Sequence, residues 1–110
     1  MEDPLSKRCL PCEGGVDPLT QERIDELLQQ VTGWQLNAAR TEIERHYQFK
    51  NFYGVMAFVN AVAWLAHQEN HHPDMTIGYN ECTIRYSTHS ISGLTENDFI
   101  CAAKINQLTA

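Results

Sequence analysis

Three short stretches concentrate the side chains that can move protons. They are Glu69-Asn70-His71-His72-Pro73-Asp74, then Ser87-Thr88-His89-Ser90, then Thr95-Glu96-Asn97-Asp98. Three of the five histidines fall here, beside turns and strand ends rather than in mid-helix. Imidazole is the side chain that both gives and takes a proton near neutrality, with an ordinary pKa of about 6.5. A positioned histidine typically contributes roughly 10²–10⁴-fold to a proton transfer. Adjacent residues point in different directions, so His71 and His72 are expected to do different jobs. His89 is expected to reach the same place from a strand end, since loops on a rigid scaffold commonly converge into a site.

Metal binding is the rival reading of the same residues. His67 and His71 are four apart, a ligand spacing on a helix, and His72 or His89 would complete a three-histidine site. No H-E-x-x-H pattern supports it. There is no Gly-rich phosphate loop and no G-x-G-x-x-G. Ser87 and Ser90 lack the context of a nucleophile elbow. Trp34 and Trp64 read as core or interface, and His46 as solvent-facing.

The elements that must position these groups follow from periodicity. Thr20 caps a helix with Ile24, Leu27, Leu28 and Val31 on one face, ending before Gly33. A strand starts at Trp34–Leu36. Ile43, Tyr47 and Phe49 alternate with polar residues through 41–50, with Arg45 the exception on the apolar face. Asn51 caps a long helix whose buried face is Phe52, Val55, Met56, Val59, Val62, Ala63 and Ala66, and Pro73 closes it. Met75, Ile77 and Tyr79, then Cys82, Ile84, Tyr86 and Thr88, alternate as two strands joined by a turn at Asn80-Glu81. Thr95 and Asp98 open a last helix in a capping-box pattern, with Phe99, Ile100, Ala103 and Leu108 inward. The order predicts an α+β fold, with helices on one face of an antiparallel sheet.

Bulk properties bound the remainder. The 110 residues fit one domain, with residues 1–19 a flexible leader and 20–110 the folded unit. A net charge of −6 argues against nucleic acid as the main partner. No apolar run approaches a membrane span, and no signal peptide is readable, so a cytoplasmic protein is expected. Cys9-Leu-Pro-Cys12 is a C-x-x-C in the leader, read as a reduced pair with zinc or redox roles as alternatives. Cys82 and Cys101 read as small core residues.

From Thr20 onward the chain strongly resembles the pterin-4a-carbinolamine dehydratases. The likeness is carried by Glu69-Asn70-His71-His72-Pro73, Tyr79-Asn80, Ser87-Thr88-His89 and Gly93-Leu94-Thr95-Glu96-Asn97-Asp98, and by Tyr47-Gln48-Phe49-Lys50-Asn51-Phe52 at the entry to the long helix. The leader is similar to that of bacterial members that accompany phenylalanine hydroxylase. The resemblance implies a four-stranded antiparallel sheet with three helices on one face, and a homodimer or homotetramer. It implies a hydro-lyase that removes water from 4a-hydroxytetrahydropterin to give quinonoid dihydropterin, without metal or organic cofactor. Carried onto this sequence, it implies His72 as the leading acid/base, with His71 and His89 assisting. Asp98 is expected to orient His89. His67, Asn70, Ser87, Thr88 and Ser90 are expected to contact the pterin. Asn70 and His67 stand where several relatives carry acidic residues. A dimerisation or coactivator-type binding module is the alternative function.

Overall fold

The computed structural model describes residues 7–9 and 17–109. The Thr20 hydroxyl accepts the Arg23 N–H at 3.2 Å and starts α1, Gln21–Leu28. This helix and the turn after it bury Ile24, Leu27 and Val31. The chain leaves at Gly33, whose φ is +87°. That backbone angle favours glycine, and a Cβ there would stand 2.7 Å from the Arg45 guanidinium and displace it.

Strand β1, Gln35–Leu36, pairs with β2, Ile43–Gln48. Ile43 and Tyr47 face the core, as the alternation predicts. Arg45 shares their face yet carries a charge, and the structure supplies its partners. Its guanidinium donates to the Thr32 carbonyl at 3.0 Å and the Asn106 side chain at 2.7 Å, and lies 4.7 Å from the Tyr47 ring centroid. Trp34 Nε1 donates to the same Asn106 oxygen at 2.9 Å, so one amide seals this end of the core.

The Asn51 side chain accepts the Gly54 N–H at 2.9 Å and caps α2, Phe52–Glu69. Val55, Phe58, Val59, Val62 and Ala66 are its buried face. Phe52, Met56 and Ala63 turn partly or wholly outward, and Phe58 takes the inward place beside Tyr47, with ring centroids 4.5 Å apart. Strand β3, Asp74–Ile77, and β4, Glu81–Tyr86, follow. Their turn is the three residues 78–80 rather than Asn80-Glu81, because Glu81 pairs with Gln48 across β2 and belongs to the ladder. Tyr79 therefore leaves the alternation and is exposed. The sheet order is β1-β2-β4-β3, antiparallel throughout.

Helix α3, Glu96–Leu108, buries Phe99, Ile100 and Ala103 as expected, and Cys101, Ala102 and Ile105 as well. Its first turns are covered on several sides, so a single apolar stripe does not describe them. Leu108 lies beyond that cover and is exposed. The three helices close over one face of the four-stranded sheet and share a single core with it. Among the described residues no helix is long and apolar enough to cross a membrane.

Within the stretch read as a flexible leader, residues 7–9 lie against the domain. The buried Glu69 carboxylate accepts the Cys9 N–H at 2.8 Å, Arg8 Nε at 2.9 Å and Lys104 Nζ at 3.0 Å. Glu96 receives Lys7 at 2.6 Å and Arg23 at 3.4 Å. Leu19 donates its N–H to the Leu94 carbonyl at 3.1 Å. Cys12 of the C-x-x-C lies outside the described residues.

Burial alone would raise the Glu69 carboxyl, but the Cys9 N–H, Lys104 and Arg8 outweigh it and hold it below the ordinary 4.5. A depressed folded pKa stabilises above the unfolded value, and that stability is lost as pH falls through the folded one. The expected outcome is a wild-type Tm that drops steeply below about pH 4.5. Glu69→Gln is expected to have a lower Tm at pH 7 and a shallower acid limb. Parallel limbs in thermal melts from pH 7 to 3 would contradict this.

Candidate active site

The site begins where α2 stops. Asn70 takes a left-handed conformation, φ 52°, and reverses the chain. His71 then donates its N–H to the Ala66 carbonyl at 3.1 Å and turns inward, where it is 8% exposed. Its ring stacks on Tyr86, with centroids 5.2 Å apart and planes 17° from parallel. The Tyr86 hydroxyl donates to the His71 carbonyl at 3.0 Å. Burial holds that phenol far above its usual range, so it remains a donor.

Asp98 closes the arrangement from α3. It is fully buried, and its Oδ1 lies 2.6 Å from His71 Nε2. Oδ2 accepts the Thr95 N–H at 3.0 Å and the Thr88 hydroxyl at 2.9 Å. Thr88 and Thr95 hydroxyls are 2.8 Å apart. Since the one Thr88 proton goes to Asp98, Thr95 is the donor between them. A carboxylate on Nε2 keeps the proton of neutral His71 there and leaves the lone pair on Nδ1.

His72 and His89 stand at the rim. Their rings are 6.2 Å apart and 23° from parallel, and both residues are exposed. A short 3₁₀ turn, His89–Ile91, follows β4, closed by the Thr88 N–H to Gly93 carbonyl bond at 2.7 Å. Periodicity gave no sign of this turn. The expectation that Asp98 orients His89 is corrected: Asp98 holds His71. The reason is local: Thr88, extended and buried, turns its hydroxyl to Asp98, and His89, the first residue of the 3₁₀ turn that follows, is exposed. The carboxylate facing His89 is Asp74, with Oδ2 4.0 Å from Nε2.

Asn70, His71, His72, Ser87, Thr88, His89 and Ser90 line one hollow of about 180 Å³. A second, of about 340 Å³, shares Asn70, His71 and His72 and adds Ala63, Ala66, His67, Pro73 and Met75. The structure thus brings seven of the residues singled out from sequence around one space and puts His67 on the neighbouring one. The Thr88 hydroxyl is spent on Asp98, its N–H on the Gly93 carbonyl and its carbonyl on the Ile91 and Gly93 N–H groups, so Thr88 shapes the hollow rather than offering a free polar group to a ligand. His67 packs against the exposed Trp64, ring centroids 5.5 Å apart. Among the described residues no three His, Cys, Asp or Glu side chains converge as a metal site. His46 lies apart, bonded to Thr83 at 2.9 Å.

Tyr86 and Thr95 escaped the sequence reading as members of the site. The available signal was a tyrosine at an inward strand position, whose hydroxyl usually finds a partner when buried. Asp98→Ala is expected to cost at least about 2 kcal/mol in urea unfolding, because it strands the Thr95 N–H and Thr88 hydroxyl. Asp98→Asn is expected to shift the His71 tautomer, read from imidazole ¹⁵N chemical shifts. An unchanged pattern would show that Asp98 does not set it.

Comparison with known proteins places the chain. The family model described as pterin 4 alpha carbinolamine dehydratase matches residues 17–108. A protein of Nitrosospira multiformis bearing that family name is 55% identical over 108 residues, covering 98% of this chain and 94% of that one. One from Nitrosomonas eutropha is 58% identical over 107 residues, covering 96% and 93%. The crystal structure of a transcriptional coactivator/pterin dehydratase from Brucella melitensis superposes with a TM-score of 0.81 at 33% identity, covering 86% of this chain and all of the other. With a match across the folded unit and half or more of the residues identical to relatives along nearly their whole length, the chain belongs to the pterin 4 alpha carbinolamine dehydratase family.

Proposed function

We propose that this dehydratase removes water from a 4a-hydroxytetrahydropterin by histidine acid–base catalysis in the hollow lined by His71, His72 and His89. The carrying observation is that imidazoles from two separate segments border one hollow, with a buried carboxylate fixing one of them. The reaction breaks the C4a–OH bond and removes the N5 proton, giving quinonoid dihydropterin and water. One imidazolium delivers a proton to the departing hydroxyl, and one neutral imidazole takes the N5 proton, so the pair is restored by a single exchange with solvent.

His72 is the leading acid/base, because its ring is at the rim and accessible to water. His89 is its partner across the 6.2 Å gap and serves as the acid, with the Asp74 carboxylate 4.0 Å from its Nε2. His71 is the anchored ring, lining the hollow from below. Asn70, Ser87 and Ser90 offer amide and hydroxyl groups to a polar heterocycle, and His67 does so from the neighbouring hollow. The scheme calls for neither metal nor organic cofactor. It places the protein in the cytoplasm, as a homodimer or homotetramer, recycling the pterin of an aromatic amino acid hydroxylase such as phenylalanine hydroxylase. A coactivator-type role has less behind it, since it rests on the name of the Brucella structure alone.

In a stopped-flow assay with chemically prepared carbinolamine and chelator-treated protein, His72→Ala is expected to lose about 10²-fold or more in rate. His89→Ala should lose a comparable factor and flatten the alkaline limb of the pH profile, the limb set by deprotonation of the acid. Wild-type rates in the His72 variant would reject the assignment.

A further inference from the structure

The proposed reaction leaves Cys9 and Cys101 unused. Their sulfurs lie 3.5 Å apart, although 92 positions separate them in the chain. Cys101 is fully buried on α3, whereas Cys9 is half-buried and open to solvent on one side. Cys9 is held in place by its neighbours. Its own N–H is bonded to Glu69, Arg8 is paired with Glu69, and Lys7 is paired with Glu96. Glu69 is the last residue of α2 and Glu96 the first of α3. The segment is therefore clamped to both helices where the two thiols meet.

We infer that Cys9 and Cys101 form a site of reversible disulfide formation that staples the segment ahead of the domain onto α3. A disulfide needs the sulfurs at about 2.05 Å, so closure asks for a shift of about 1.5 Å. Residues 7–9 are held by side-chain and backbone bonds to the helices and belong to no helix or strand, so they can move by that much. A low-molecular-weight disulfide is the oxidant. Cys9, the reachable thiol, attacks one of its sulfurs, forming a mixed disulfide and releasing one small thiol. The Cys101 sulfur then attacks Cys9 Sγ, forming the Cys9–Cys101 bond and releasing the second. Two protein thiols are oxidised, one external disulfide is reduced, and the two protein protons leave on the released thiols.

The hydrogen bond with Cys101, burial and the Glu69 charge all push the Cys9 thiol upward. Thiolate is scarce at neutral pH, and the exchange is slow and favoured by alkali. The pair is a slow structural lock rather than a fast peroxide sensor. The local competitor is Cys12, three residues from Cys9.

The test incubates the full-length protein with oxidised glutathione at pH 8.5, blocks remaining thiols, and maps non-reduced peptides by mass spectrometry. The expected result is a loss of about 2 Da, a cross-linked pair of peptides containing Cys9 and Cys101, and reversal by dithiothreitol. The link should survive Cys12→Ser and vanish in Cys9→Ser, a substitution on the outer side of the pair that spares the buried core. The oxidised protein should melt about 5 °C or more above the reduced one. A Cys9–Cys12 link, a persistent glutathione adduct on Cys9, or no loss of mass would overturn the site. An unchanged Tm would overturn the staple. None of these readouts depends on the pterin reaction.

Discussion

One buried carboxylate holds the candidate site together. Asp98 has no exposure to solvent, and a charge in that position is tolerated only when every strong acceptor site is occupied. Both oxygens are: one meets His71, the other the Thr95 N–H and the Thr88 hydroxyl. These partners come from the turn after α2, the exit of β4 and the start of α3. The carboxylate also sits in the first turn of α3, where the helix dipole favours negative charge. The same contacts therefore start a helix, join three segments and orient a ring. Stability and positioning draw on the same atoms here.

The division between the two adjacent histidines follows from that anchor. Asn70 reverses the chain in a left-handed turn, His71 follows it inward, and Pro73 sends the chain out into β3. His71 is then gripped from three sides by Asp98, the Tyr86 ring and the Tyr86 hydroxyl. His72 stays at the rim, facing His89 across the hollow. Under the proposed chemistry the two rings divide the work. An anchored one gives the site a fixed shape, and an accessible one can recover its proton from water. The contact between His89 and Asp74 is longer and more exposed than that between His71 and Asp98, so solvent screens it more strongly.

A second buried carboxylate does comparable work at the other end of the same turn. Glu69 gathers Cys9, Arg8 and Lys104, and so fixes where the chain enters and where the thiols meet. The formal charge of −6 is thus no guide to these two positions, because Glu69 is paired with Arg8 and Lys104 and Asp98 is hydrogen-bonded on both oxygens. A residue counted as acidic from composition can be the most firmly paired group in the fold.

Much of this was legible without coordinates. Thr20, Asn51 and Thr95 are short polar residues just before periodic apolar runs, and each sits at a helix start. Ile43 and Tyr47, or Cys82, Ile84 and Tyr86, alternate because side chains on a strand do. Such features depend on neighbours a few residues away, and so the element types, the antiparallel sheet and the candidate histidines could be read from order alone. Long-range partnership could not. The sequence does not say that Asp98 meets His71, 27 positions earlier, instead of His89, that Arg45 ends on Asn106, or that Cys9 reaches Cys101. Those pairings are set by which faces the packed helices and sheet bring together, and burial then makes each polar group find whatever partner the packing offers.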